Sequence, residues 1–111
     1  MSVITVQTLT TIGLVTSYTA AAEAGDEVKN NGHVFMHWKN AELVDNVITI
    51  ASQFSPVPKG LATIDVSITV TALGEKMAGF FDKAAYNDSS ACIQMTYTTH
   101  TGLTVAAITV T

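Results

Sequence analysis

Residues 64–71 alternate without a break. Ile64, Val66, Ile68 and Val70 are apolar, and Asp65, Ser67, Thr69 and Thr71 between them are polar. A period of two places every second side chain on one face of an extended chain, the pattern of a half-buried antiparallel strand. Residues 34–39 repeat it, with Val34, Met36 and Trp38 on one face and Phe35, His37 and Lys39 on the other. Further strands are predicted over residues 3–9, 47–54, 75–81, 91–98 and 103–110, with a weaker one over 13–19. Their spacing suits a sandwich. The expected interior is Val34, Met36, Trp38, Ile64, Val66, Ile68, Val70, Ile93, Met95 and Tyr97.

Turn chemistry separates these segments. Asn30-Asn31-Gly32 supplies residues that tolerate positive φ. Residues 55–60 carry Pro56 and Pro58, which exclude a central strand. Leu73-Gly74-Glu75 and residues 87–90 read as turns, and Thr101-Gly102 as the turn of a hairpin between the last two strands. Residues 20–24 are the one helix-like stretch, with Thr19 as cap and Gly25 as stop. Five residues are too few for a stable helix alone. The expected fold is all-β, an antiparallel β-sandwich or jelly-roll-like domain of about seven or eight strands, with residues 1–111 forming a single domain.

Composition supports this and limits function. Threonine, a β-branched residue, makes up about one position in seven. Only 13% of residues are charged and 48% are hydrophobic, against about 25% charged in an average domain. So small a chain has little interior for that apolar content, which predicts that part of the surface is an interface. The net charge is −4, arginine is absent, and the five lysines are scattered. Nucleic acid and anionic membrane are poor partners for such a surface. No apolar stretch approaches the about 18 residues of a membrane span. The start, Met1-Ser2-Val3-Ile4-Thr5, lacks the basic region of an export signal, so synthesis and assembly in a cytoplasm are expected. The single Cys92 forms no internal disulfide.

Candidate chemistry is sparse. His33 and His37 would meet on a helix, but on a strand they lie roughly 13 Å apart, too far to share an ion. His100 belongs to another turn. Cys92 opens an alternating strand with no nucleophile motif around it and reads as a buried thiol. Asp82 and Asp88 flank Tyr86 without the exposed aromatics of a sugar groove. Asn87-Asp88-Ser89 is a glycosylation sequon by chance. The expectation is no catalytic residue, no metal and no cofactor. The aromatics at strand positions read as core. Phe80 and Phe81 are adjacent, however, so on a strand one of them must face away from the interior and towards a partner.

Three stretches together carry a resemblance. They are Asn31-Gly32-His33-Val34-Phe35-Met36-His37-Trp38-Lys39-Asn40; Gly79-Phe80-Phe81-Asp82 with Tyr86-Asn87-Asp88; and Met95-Thr96-Tyr97 with Thr101-Gly102-Leu103-Thr104-Val105-Ala106-Ala107. In this order they resemble small proteins of tailed bacteriophages encoded near the major capsid protein, several of which are capsid decoration, or cement, proteins. Asp82-Lys83-Ala84-Ala85 departs from the proline-bearing segment of those proteins, and Thr109-Val110-Thr111 from their Arg-Leu ending. The resemblance implies a non-enzymatic virion protein on the capsid exterior that binds the major capsid protein and holds the shell together. Low charge, the Phe80–Phe81 pair and the threefold axes of capsid lattices suggest a homotrimer. Contacts are expected in residues 1–18 and 30–32 and at Phe80 and Phe81, with Tyr18 and Asn31 as named candidates. The rival readings are a phage tail or neck component and a glycan-binding β-sandwich module.

Overall fold

The computed structural model describes residues 1–53 and 65–110. Ten strands and one helical turn follow in the order β1 (Ser2–Ile4), β2 (Val6–Thr8), β3 (Thr19–Ala20), β4 (Asp26–Lys29), β5 (Val34–Asn40), β6 (Asn46–Ile50), β7 (Val66–Val70), β8 (Glu75–Ala78), α1 (Lys83–Tyr86), β9 (Cys92–Tyr97) and β10 (Leu103–Thr109). They form two sheets. One has the order β1-β4-β9-β6-β7, and the other β2-β10-β5-β8, with β3 also paired to β10. The fold is an all-β sandwich.

Alternation decides which side chains meet between the sheets. Val34, Met36 and Trp38 of β5 are buried, as are Ile48 and Ile50 of β6, Ile68 and Val70 of β7, Ile93 and Met95 of β9, and Val105 and Ala107 of β10. Val66 and Tyr97 pack partly buried against this core. Burying each of the large aliphatic chains contributes roughly 1.5–3 kcal/mol. Ile64, the loop 55–60 and the end of the expected strand 47–54 lie outside the described residues.

Several elements differ from the sequence-based expectation. The predicted first strand, residues 3–9, is split at Thr5. Its first half pairs in parallel with β4, Ser2 opposite Asp26, and its second half pairs in parallel with β10, Val6 opposite Ala107. One segment thus serves both sheets, and the sandwich contains parallel as well as antiparallel pairs.

The strand expected over 13–19 shrinks to Thr19–Ala20, because residues 9–18 must turn back on themselves. They link β2 and β3, which lie on the same edge of β10 and run in opposite directions. Residues 20–24 are not helical. Ala21 N–H instead continues the ladder to Leu103 O (2.9 Å), and the Asp26 carboxylate takes Ala22 N–H (3.2 Å). The helical turn is at Lys83–Tyr86, capped by Asp82, whose Oδ1 accepts from Ala84 N–H (3.0 Å). Thr101-Gly102 does not close a hairpin. It carries the chain from β9 in one sheet to β10 in the other. β4 was not foreseen: its sequence Asp-Glu-Val-Lys hides a strand whose Asp26 and Val28 face inward, both fully buried.

Candidate docking surface

The two outer faces of the sandwich differ sharply. On the β1-β4-β9-β6-β7 sheet the outward positions include Glu27, Lys29, Thr49, Ser67, Thr69, Gln94 and Thr96. On the other sheet the pairing register lines up Gln7, Ile108, Phe35 and Gly79 in one row. The next row holds Ala106, His37 and Met77, and the one after that Thr104, Lys39 and Glu75.

β8 is the free edge of this second sheet. Beside it Phe35, Met77, Ala78, Gly79 and Phe80 line a shallow cleft of about 240 Å³. Met77 is 61% and Phe80 57% exposed, large fractions for such side chains. The Phe80 ring stands edge-on to Phe35 and to His33, with centroids 6.3 Å away in each case. Gly79 makes this arrangement possible. Its φ is +151°, and a Cβ there would lie 2.7 Å from the Phe35 Cβ, well inside contact distance.

At the opposite edge, residues 9–17 form an apolar protrusion. Ile12 is 96% and Val15 94% exposed, and Leu9 is also exposed. The segment is anchored at both ends. Leu9 N–H donates to Thr109 O (2.9 Å). The Gln7 side-chain amide clamps Ser17, donating to its carbonyl and accepting from its N–H, both at 2.8 Å. A third apolar group sits at the sandwich end. Leu43, Val44 and Leu73 are exposed on two neighbouring loops joined by Leu73 N–H to Glu42 O (3.0 Å).

A polar chain crosses the middle of the same face. The Tyr18 hydroxyl lies 2.7 Å from His37 Nδ1, and His37 Nε2 lies 3.4 Å from Glu75 Oε1. With a neutral imidazole, geometry calls for a proton on Nε2 facing the carboxylate, and for the Tyr18 hydroxyl to donate to Nδ1. Lys39 Nζ sits 4.0 Å from the Tyr18 ring centroid, a cation–π contact. This chain has no signal in the sequence, because the tyrosine and the glutamate lie far from His37 along the chain and the sheet register brings them together.

The candidate residues from the sequence fall in different places. Phe80 is exposed in the cleft and Tyr18 is half-buried on the same face. Phe81 points the other way and is buried at 6% exposure against Tyr86, so it is unavailable to a partner. The pair splits as adjacent residues should, with Phe80 as the outward member. Asn31 is exposed in its turn, its Oδ1 accepting from His33 N–H (2.8 Å) and its amide donating to Thr109 Oγ1 (3.3 Å).

The remaining polar candidates serve the fold. Asp88 Oδ2 accepts from Gln94 Nε2 (2.7 Å), and Oδ1 from Ser90 and Cys92 N–H (2.8 and 3.1 Å). These bonds, the Gln94 one foremost, hold its pKa below the ordinary carboxylate value. The Asn87 side chain is tied to Asn30, donating to its carbonyl (2.9 Å) and accepting from its side-chain amide (2.8 Å). Burial pushes the Cys92 thiol up, away from the reactive thiolate form. Tyr97 donates to the buried Asp26 carboxylate at 2.6 Å. Burial first, and that bond second, raise its hydroxyl pKa far above the usual value. Among the described residues no three His, Cys, Asp or Glu side chains gather around a point where an ion would sit. Trp38 is fully buried and presents no face to a sugar.

Compared with family models, with curated proteins and with solved structures, the chain matches none.

Proposed function

We propose that this protein is a structural component of a tailed-phage particle that binds the assembled capsid from outside and stabilises it, acting as a homo-oligomer of which a trimer is the expected form. The observation that carries the binding role is exposed apolar surface in two separate places, Met77 and Phe80 beside the cleft at the β8 edge and Leu43, Val44 and Leu73 at one end of the sandwich. Apolar area of this kind left in water costs about 25 cal/mol per Å², and a partner recovers it. The sequence resemblance supplies the identity of the partner, the major capsid protein. A small sandwich that binds only the assembled lattice stabilises that lattice by mass action, with no chemistry required. The apolar tip of Leu43, Val44 and Leu73 is the contact assigned to the shell, since it projects from the sandwich end, away from the sheet faces.

The test uses particles of the phage that encodes the chain. Stripping the protein should lower the temperature at which the shell releases its DNA, and adding it back should restore that temperature. Leu43→Asp combined with Leu73→Asp should prevent rebinding while leaving the chain folded. Particles equally robust without the protein, and imaging that shows no copies on the shell, would overturn the capsid reading in favour of a tail or neck location.

A further inference from the structure

We propose that residues 9–17 of one copy dock against the β8 edge and the Phe35–Met77–Phe80 cleft of a second copy, head to tail, so that identical contacts close into a ring. The inference rests on the self-association in the reading above and is independent of the capsid.

Four observations converge on a second copy as the occupant. First, the protrusion and the cleft lie on opposite edges of one sheet. Residues 9–17 leave and rejoin the chain beside β10, and β8 lies across β5 at the far side. Each copy therefore carries both halves of a contact, facing in different directions. Such a contact is heterologous and generates a ring when the rotation between copies closes.

Second, the two halves match in charge. No residue from Met1 to Ala22 has a charged side chain, and none of Phe35, Met77, Ala78, Gly79 and Phe80, which line the cleft, is charged. The apolar part of the contact therefore buries no ion, and the charged Glu75 and Lys76 lie at the other end of β8.

Third, both halves have unused backbone. Leu14, Val15 and Thr16 make no backbone hydrogen bond to the described residues. Among the described residues β8 pairs with β5 alone, so its outer edge offers alternate N–H and C=O groups. An extended segment added to a sheet edge satisfies both sets, and pockets for alternate side chains give specificity. Lys76 is the residue that would deter such pairing, but its ammonium is turned back onto Thr69 O (3.3 Å) in the other sheet.

Fourth, Ile12 and Val15 are almost completely exposed although residues 9–17 are pinned at both ends. The fold itself makes no use of these side chains. It ties down both ends of the strap, which removes part of the ordering cost of a contact. The cleft of about 240 Å³ is equivalent to roughly eight waters' worth of liquid volume, room enough for an aliphatic side chain to displace solvent.

The experiment combines sedimentation with directed cross-linking of the full chain. Val15→Cys and Phe80→Cys are prepared separately. Cys92 is buried and stays out of the reaction. A short bis-maleimide should join the two variants when they are mixed, and neither variant to itself. The double variant should give a ladder that stops at a closed ring. In sedimentation, Ile12→Asp and Val15→Asp should each weaken self-association at least about tenfold, with an unchanged circular dichroism spectrum because neither side chain packs on its own chain. A monomer at every concentration would overturn the proposal, as would Phe80→Cys cross-linking to itself as readily as to Val15→Cys, which would mean a face-to-face dimer. Rebinding to stripped particles separates the two readings. A monomer that still binds the shell refutes the ring and keeps the capsid function. A cross-linked ring that ignores the shell does the reverse.

Discussion

The two outer faces of this sandwich cover the same core and yet are built from different residues. On the β1-β4-β9-β6-β7 sheet, Ser67, Thr69, Thr49, Gln94 and Thr96 alternate with buried Ile68, Ile48, Ile93 and Met95. Most of these outward side chains are ones that water solvates well, with Val3, opposite Glu27 on the edge strand, as an exposed apolar exception. On the β2-β10-β5-β8 sheet Ile108 and Ala106 in the outward rows are buried and Phe35 is half-buried, and Met77 and Phe80 at the β8 edge are left exposed. The same backbone geometry and the same periodicity thus support one outer face that is mostly polar and another left unfinished at its β8 edge. Folding requires the inward rows alone. The outward rows are free to vary with what the surface meets, and here they differ.

Four experiments break or sharpen this contrast. The interior is common to both sheets, so truncation should be costly from either side. Trp38→Ala should lose about 3–5 kcal/mol and Ile48→Ala about 2–5 kcal/mol in urea unfolding. A loss below about 0.5 kcal/mol at either site would mean that the inward and outward rows had been exchanged.

Tyr97→Phe tests the polar contact inside the first sheet. It leaves the fully buried Asp26 carboxylate with the Ala22 N–H as its remaining partner. The cost should be about 1–3 kcal/mol. A neutral outcome would show that the carboxylate is reached by water.

The third experiment concerns pH. The folded-state pKa of Asp88 is depressed, so its bonds to Gln94, Cys92 and Ser90 contribute stability above the unfolded-state carboxylate pKa. That contribution is lost as pH falls through the lower folded-state value. Denaturation midpoints measured from neutral pH into the acid range should therefore decline less steeply for Asp88→Asn than for the parent, and parallel curves would remove Asp88 from the balance.

The smallest expected effect is the most telling for the contrast. Phe80→Ser and Met77→Ser should change the stability of the free chain by no more than about 0.5 kcal/mol. A loss above about 2 kcal/mol would show that these side chains belong to the fold, and the unfinished face would be a miscounted piece of core.

Much of the sandwich was legible in the residues, and the gaps have physical causes. Residues 66–70 could be read because strict alternation of aliphatic and polar side chains leaves one buried face, and 34–40 because Val34, Met36 and Trp38 recur with a period of two. β4 was hidden because its inward Asp26 looks like a surface residue until Tyr97 reaches it from β9 with a hydrogen bond. The split at Thr5 and the crossover at Thr101-Gly102 were hidden because periodicity reports the faces of a strand and says nothing about its neighbours. The exposed β8 edge was legible through Phe80, since adjacent aromatics must diverge. Met77 and Val15 looked like ordinary strand residues, and Ile12 fell between two expected strands. The Tyr18–His37–Glu75 chain had no local signal, because its members meet across three separate strands or strand ends.

The division of the N-terminal strand between two sheets has a mechanical consequence. β2 lies parallel to β10, so the start of β2 and the end of β10 are at opposite ends of one ladder. Tension pulling those two points apart slides the strands along each other and loads all their hydrogen bonds together. A hairpin pulled at its open end parts one bond at a time. β1, clasped to β4 in the opposite sheet, adds a second grip on the same segment. Force applied through this segment therefore meets a latch that must shear as a unit.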